Sequence, residues 1–220
     1  MIGLQRLEAP ASFDLWWVDL QREPSPDEVA GLSNAERARC ARFVFERDRR
    51  RYRAAHCALR HLLAVRCRQR PETLVFTEGA FGKPRLEGAA TCAFSLSHSE
   101  DWALVLMADE GEIGVDVEAL RSQPDRSALA AAHFTPRECA ALAGLSGSEA
   151  DLAFLRCWTR KEACLKAVGS GFAVDAASVD VGVDAAPQTV LVAGTLGPQA
   201  LAVQSFEHEH GFVGALARVL

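Results

Sequence analysis

Hydrophobic and polar positions alternate through IGVDVEAL (113–120). Ile113, Val115 and Val117 fall on one side and Asp116 and Glu118 on the other, which predicts a half-covered strand. The same alternation predicts strands over 13–20, 73–79, 92–99, 102–109, 178–183, 189–194, 200–207 and 212–219. Spacing of three and four predicts helices over 24–43, 48–69 and 149–168, and two short ones within 124–145 broken at Thr135-Pro136. Thr135 is a good N-cap, Pro136 suits the first helical position, and Glu138 completes a capping box. In the helix over 48–69, Tyr52, Ala55, Leu59, Leu62, Leu63 and Val65 make the expected buried stripe.

These elements describe an α+β protein in two similar halves. Each runs strand, helices, strands, which hints at an old duplication without a residue-level repeat. The expected domains are 1–120 and 121–220, with Arg121–Asp125 as the boundary. A length of 220 residues and 49% hydrophobic content support a full core. No run approaches the 18 apolar residues of a membrane span, and the first residues lack a signal-peptide design. The seven cysteines are odd in number and form no C-x-x-C pair, so they are expected to be reduced thiols in a cytoplasmic protein.

Charge sharpens the picture. The net charge of −5 argues against a general nucleic-acid binder. Residues 36–70 nevertheless hold 12 of the 24 basic residues against three acids, Glu36, Glu46 and Asp48, which suggests an anion site. The chain has 21 arginines and only three lysines: Lys83, Lys161 and Lys166. A compact ammonium where guanidinium is otherwise the rule suggests a need for a flexible point charge.

Candidate chemistry lies in three places. Asp116 and Glu118 share a strand face about 6.5–7 Å apart along the backbone, where unpaired carboxylates raise each other's pKa. A hard divalent cation removes that cost, although a D-x-E alone is more often a solvated strand end. On the helix over 149–168, Glu162 and Lys166 share the face of Leu155, Trp158, Thr159 and Leu165. They read as an ordinary i, i+4 pair or as a third metal ligand beside a phosphate-binding lysine. In FSLSHS (94–99), Ser95 and Ser97 point opposite to Phe94 and Leu96, and His98 ends the strand. Such a group suits phosphate oxygens, though a lone histidine is more commonly a packing residue.

Taken in order, FGKPRL, FSLSHS, IGVDVE, FT-x-x-E and FLRCWTRKEACLKAVGSGF resemble the 4′-phosphopantetheinyl transferases, in their larger single-chain type. The resemblance covers about residues 36–172. It implies an intramolecular pseudo-dimer of two α/β halves, with the active site at their interface and no need of a partner subunit. It also implies transfer of phosphopantetheine from coenzyme A to a serine of an acyl or peptidyl carrier protein, releasing adenosine 3′,5′-bisphosphate. The family's metal carboxylates correspond to Asp116, Glu118 and Glu162, for Mg²⁺ or Mn²⁺. Its serine-deprotonating acid corresponds to Glu138, and its phosphate-contacting positions to Lys166, His98 and the adjacent Ser97. Lys83 matches the GKP lysine near the nucleotide, and Arg51 a basic position near adenine and the 3′-phosphate. The chain departs from some relatives in placing Glu36 where they carry a lysine, with Arg37, Arg39 and Arg42 supplying the charge. A metal-dependent nuclease and a non-catalytic coenzyme A-binding module are the alternatives. Neither nucleic acid nor membrane is expected as a partner.

Overall fold

The computed structural model describes residues 3–10, 12–79, 81–88, 92–169, 174–194 and 197–220. Residues 170–172, the end of the last motif, lie outside the described residues. The chain forms two compact units, residues 1–77 with 84–110, and residues 78–83 with 111–220. The break falls about ten residues before the expected boundary. The reason is strand pairing: the strand over 113–119 hydrogen-bonds along its length to the last strand of the chain.

The first unit holds a four-stranded antiparallel sheet. Its strands are β1 (Gly3–Leu7), β2 (Asp14–Asp19), β5 (Ala93–Ser99) and β6 (Trp102–Ala108), in the order β1-β2-β6-β5. A separate hairpin of β3 (Phe76–Glu78) and β4 (Pro84–Leu86) precedes β5. Neither β1 nor β4 was expected from the alternation. The expected single helix over 24–43 is two, α1 (Pro26–Ala30) and α2 (Asn34–Ala41), each opened by its own capping box, Ser25 with Glu28 and Ser33 with Glu36. The long α3 (Glu46–Cys67) packs Ala55, Leu59, Leu62 and Leu63 into the core with Val18, Val105 and Phe94. Val65 is 68% exposed rather than buried. At 100° per residue it sits about 110° from the centre of the stripe through Tyr52, Leu59 and Leu62.

The second unit carries β7 (Ile113–Ala119), β8 (Gln188–Gly194), β9 (Gly197–His208) and β10 (Phe212–Val219), in the order β7-β10-β9-β8. Its helices are α4 (Arg126–His133), α5 (Pro136–Ala143) and the long α6 (Gly147–Val168). α6 shares a core with Val213, Ala215, Val203 and Leu201 of the sheet. The units repeat one plan: a strand, a 22-residue helix (α3 or α6), then an antiparallel hairpin whose last strand returns beside the first.

The alternating segment over 178–183 is not a strand. Val179 and Val181 are buried as the pattern requires, but side chains take the place of a neighbouring strand. Val181 N–H donates to Glu138, Lys161 donates to the Val179 carbonyl, and Arg160 donates to the Val181 carbonyl. Buried backbone groups must be paired, and here three charged side chains do the pairing. No described helix is long and apolar enough to cross a membrane. All seven cysteines are free thiols, as expected.

Candidate active site

Gly114 sets how closely α6 lies on β7. A Cβ at this position would fall 2.0 Å from the Ala163 carbonyl oxygen and 2.5 Å from the Ala167 nitrogen, both α6 backbone. A glycine within a strand is the signature of such an approach. Two residues on and on the same face, Asp116 is 4% exposed, and its Oδ1 accepts a hydrogen bond of 2.6 Å from Lys166 Nζ. Arg160 donates to Ser205 on the same face and Arg156 to Glu207, so α6 is tied across β7 and β9.

Glu162 lies one turn before Lys166. Its carboxyl is pushed above the usual range by burial first and the charge of Asp116 second, against the opposing pull of Lys166 and His133. The strand and helix acids are therefore close enough to feel one another. Glu162 also borders a cavity of about 370 Å³, together with Trp158, Leu165, His133, Lys161 and Ala176. The His133 ring meets Trp158 edge-on at 5.5 Å.

The donor set suits a hard cation in part. Asp116 and Glu162 would supply the one or two carboxylates such an ion takes alongside phosphates. The three-acid cluster is not assembled: among the described residues no three histidine, cysteine, aspartate or glutamate side chains are grouped to hold an ion. Glu118, half-buried opposite Val213, is on the expected strand face but does not complete such a group.

Glu138 does not sit as a base should. It is 1% exposed, and its carboxylate accepts from Thr135 N at 2.8 Å, Val181 N at 2.8 Å and Gly182 N at 3.2 Å. It also pairs with buried Lys161 at 2.8 Å. Burial raises its pKa, but Lys161 and the backbone donors outweigh that and hold the carboxyl below its usual range. A general base needs access and a pKa near the working pH. Glu138 has neither, and its geometry is that of a structural anion. Sequence reasoning noted Lys161 but assigned it no role. Its ammonium has three acceptors, Glu138 and the carbonyls of Ala176 and Val179.

Lys83, expected near the nucleotide, is also held by partners within the protein. Its Nζ donates to Glu112 at 2.8 Å, the Ile113 carbonyl at 3.0 Å and the Ala167 carbonyl at 2.8 Å, all within the second unit.

The remaining expected residues belong to the first unit. Ser97 is buried and His98 exposed at the end of β5. Arg51 is paired with Asp101 and Glu100, each at 3.0 Å, so it would have to exchange partners to meet a phosphate. Arg39 lies over the Tyr52 ring at 5.8 Å and lines a cleft of about 460 Å³ with Arg42 and Phe43. Glu36, at the start of the basic segment, is a buried structural carboxylate. It caps α2 through Ser33 and accepts from Arg60 at 2.7 Å, with His56 Nδ1 at 3.1 Å.

Two family models divide the chain between them. Residues 112–217 match the 4′-phosphopantetheinyl transferase superfamily, and residues 23–110 match the N-terminal 4′-phosphopantetheinyl transferase model. The chain is 38% identical over 164 residues to the 4′-phosphopantetheinyl transferase HetI of Nostoc, covering 72% of this chain and 69% of that protein. It is 36% identical over 159 residues to the putative 4′-phosphopantetheinyl transferase slr0495 of Synechocystis, covering 71% and 65%. It is 39% identical over 128 residues to the 4′-phosphopantetheinyl transferase AcpT of Salmonella typhimurium, covering 58% and 65%. The matched segments thus span about two thirds of the length of these relatives. With both halves matched and the β7–α6 acids and lysine in place, this chain belongs to the 4′-phosphopantetheinyl transferase superfamily.

Proposed function

We propose that the chain transfers 4′-phosphopantetheine from coenzyme A to a serine hydroxyl of an apo acyl or peptidyl carrier protein. The observation that carries the reading is the apposition of Asp116, Glu162 and Lys166 at the Gly114 contact of β7 and α6. The serine oxygen attacks the β-phosphorus, the phosphoanhydride bond breaks, and adenosine 3′,5′-bisphosphate leaves with the electron pair. Charge on the pyrophosphate must be neutralised as this happens. Lys166 supplies one cation there, and a Mg²⁺ or Mn²⁺ held by Asp116 and Glu162, with Glu118 beside them on the strand, would supply Lewis acidity.

Glu162 borders the open cavity and Glu138 is sealed, so Glu162, through the carboxylate oxygen the cation would leave uncoordinated, is the better placed of the two to take the serine proton. The apolar wall of Trp158 and Leu165 suits the pantetheine arm. Arg39, Arg51, Ser97 and His98 are assigned to the nucleotide and phosphates of coenzyme A, with Arg42 beside Arg39 in its cleft.

Incubation with coenzyme A, Mg²⁺ and an apo carrier domain, followed by intact-mass analysis, tests the reading. A gain of one phosphopantetheine on the carrier is expected. A protein that binds coenzyme A and leaves the carrier mass unchanged would be a binding module instead.

A further inference from the structure

We infer that Lys83 is a positioning residue whose ammonium clamps the end of α6 to the start of β7, rather than a contact for coenzyme A. Ala167 O is one of the last carbonyls of α6, which the helix itself cannot pair. Glu112 and Ile113 O stand at the entry to β7. One ammonium joins all three, with a side chain only 13% exposed. Its three N–H bonds diverge, so they can serve three separate acceptors, whereas a planar guanidinium presents its donors in a rigid fork. This accounts for a lysine at position 83 in a chain that has 21 arginines and only three lysines.

The clamp sits at a sensitive place. Ala167 is beside Lys166, whose ammonium lies on Asp116, and its backbone nitrogen is one of the α6 backbone atoms that abut Gly114. Holding Ala167 and Ile113 together sets the register of Glu162 and Lys166 against Asp116. The cap of α6 is built around the same side chain. Gly169 has a φ of +64°, and a Cβ there would lie 3.0 Å from Lys83 Cδ. The aliphatic stem of Lys83 thus packs under the left-handed turn that ends the helix.

The inference deepens the proposed transfer and rests on it for the kinetic arm of the test, but the structural arm stands by itself. Wild type, Lys83→Met, Lys83→Arg and Glu112→Gln are compared by amide hydrogen exchange. In Lys83→Met, exchange in the last turn of α6 is expected to quicken at least tenfold while its first turns stay as in wild type. Glu112→Gln keeps an acceptor and gives a smaller change in the same turn, and Lys83→Arg, which keeps the charge, fails to restore protection. In the carrier-labelling assay, kcat of Lys83→Met falls at least tenfold and KM for coenzyme A stays within twofold. Unchanged exchange with a raised KM for coenzyme A would overturn the clamp and make Lys83 a ligand contact. If wild type labels no carrier, the transfer reading fails, and the exchange result still decides the clamp. If Lys83→Met does not fold, Glu112→Gln and Lys83→Arg decide it by the same criterion.

Discussion

Glu36 shows how one side chain can change meaning between sequence and structure. By position it interrupts a basic segment; in the fold it is the hub of a small network. Burial alone would raise its carboxyl, but hydrogen bonds from His56 and Ser33 and the charge of Arg60 bring it down to about 2. A carboxyl depressed on folding contributes stability above its unfolded pKa, and that stability is lost as pH falls through the folded value. The contribution, roughly 3 kcal/mol for a shift from 4.5 to about 2, is complete above about pH 4.5 and fades towards pH 2. Urea midpoints measured against pH should show this acid loss in wild type and a flatter profile in Glu36→Gln. Glu138 yields a second expectation. Glu138→Gln strands Lys161 without its anion and should lose about 3–5 kcal/mol in denaturant unfolding. Glu162→Gln should keep its stability and lose carrier labelling. The reverse pattern would return the base to Glu138. The capping box of Glu138 was legible because it is local, its two residues three positions apart; its pairing with Lys161, 23 positions away, was not.

Among the elements, the contact of β7 with α6 dominates. Hydrophobic alternation located β7 and three-four spacing located α6, because each pattern reports which face of an element is covered. Neither pattern reports how closely two backbones approach. Gly114 was the available signal, an isolated glycine in a strand pattern. Gly114→Ala places a methyl within van der Waals overlap of α6 and should cost about 3 kcal/mol or more. It should also abolish labelling at temperatures where the protein remains folded. Near-native labelling by this variant would show that the helix can sit farther out without harm. The segment over 178–183 marks the limit of pattern reading in the other direction. Its valines face the core as a strand's would, yet Glu138, Arg160 and Lys161 pair its backbone. Alternation measures burial, and burial is not the same as strand pairing.

Over the whole molecule, the proposed transfer rests on charge and on a divalent cation. Asp116→Ala and Glu162→Ala should each leave a folded protein that labels no carrier. In the presence of coenzyme A, Mg²⁺ should raise the wild-type melting temperature, and chelation should reverse the rise. Both variants should lose that response. A variant that kept near-native labelling would overturn the two-carboxylate site.

The sequence by itself determined the α+β class, the long helices and central strands, the family, and the positions of Asp116, Glu162 and Lys166. Periodicity and short motifs are properties of neighbouring residues, and the order of the motifs made the family specific. Only the tertiary structure decided which charged groups are spent on the fold. Glu36, Glu138 and Lys161 read as candidate ligand-facing groups or bare charges in the chain. Burial turns each into a fastener, because a charge removed from water must find its partners within the protein, and those partners lie far away in sequence.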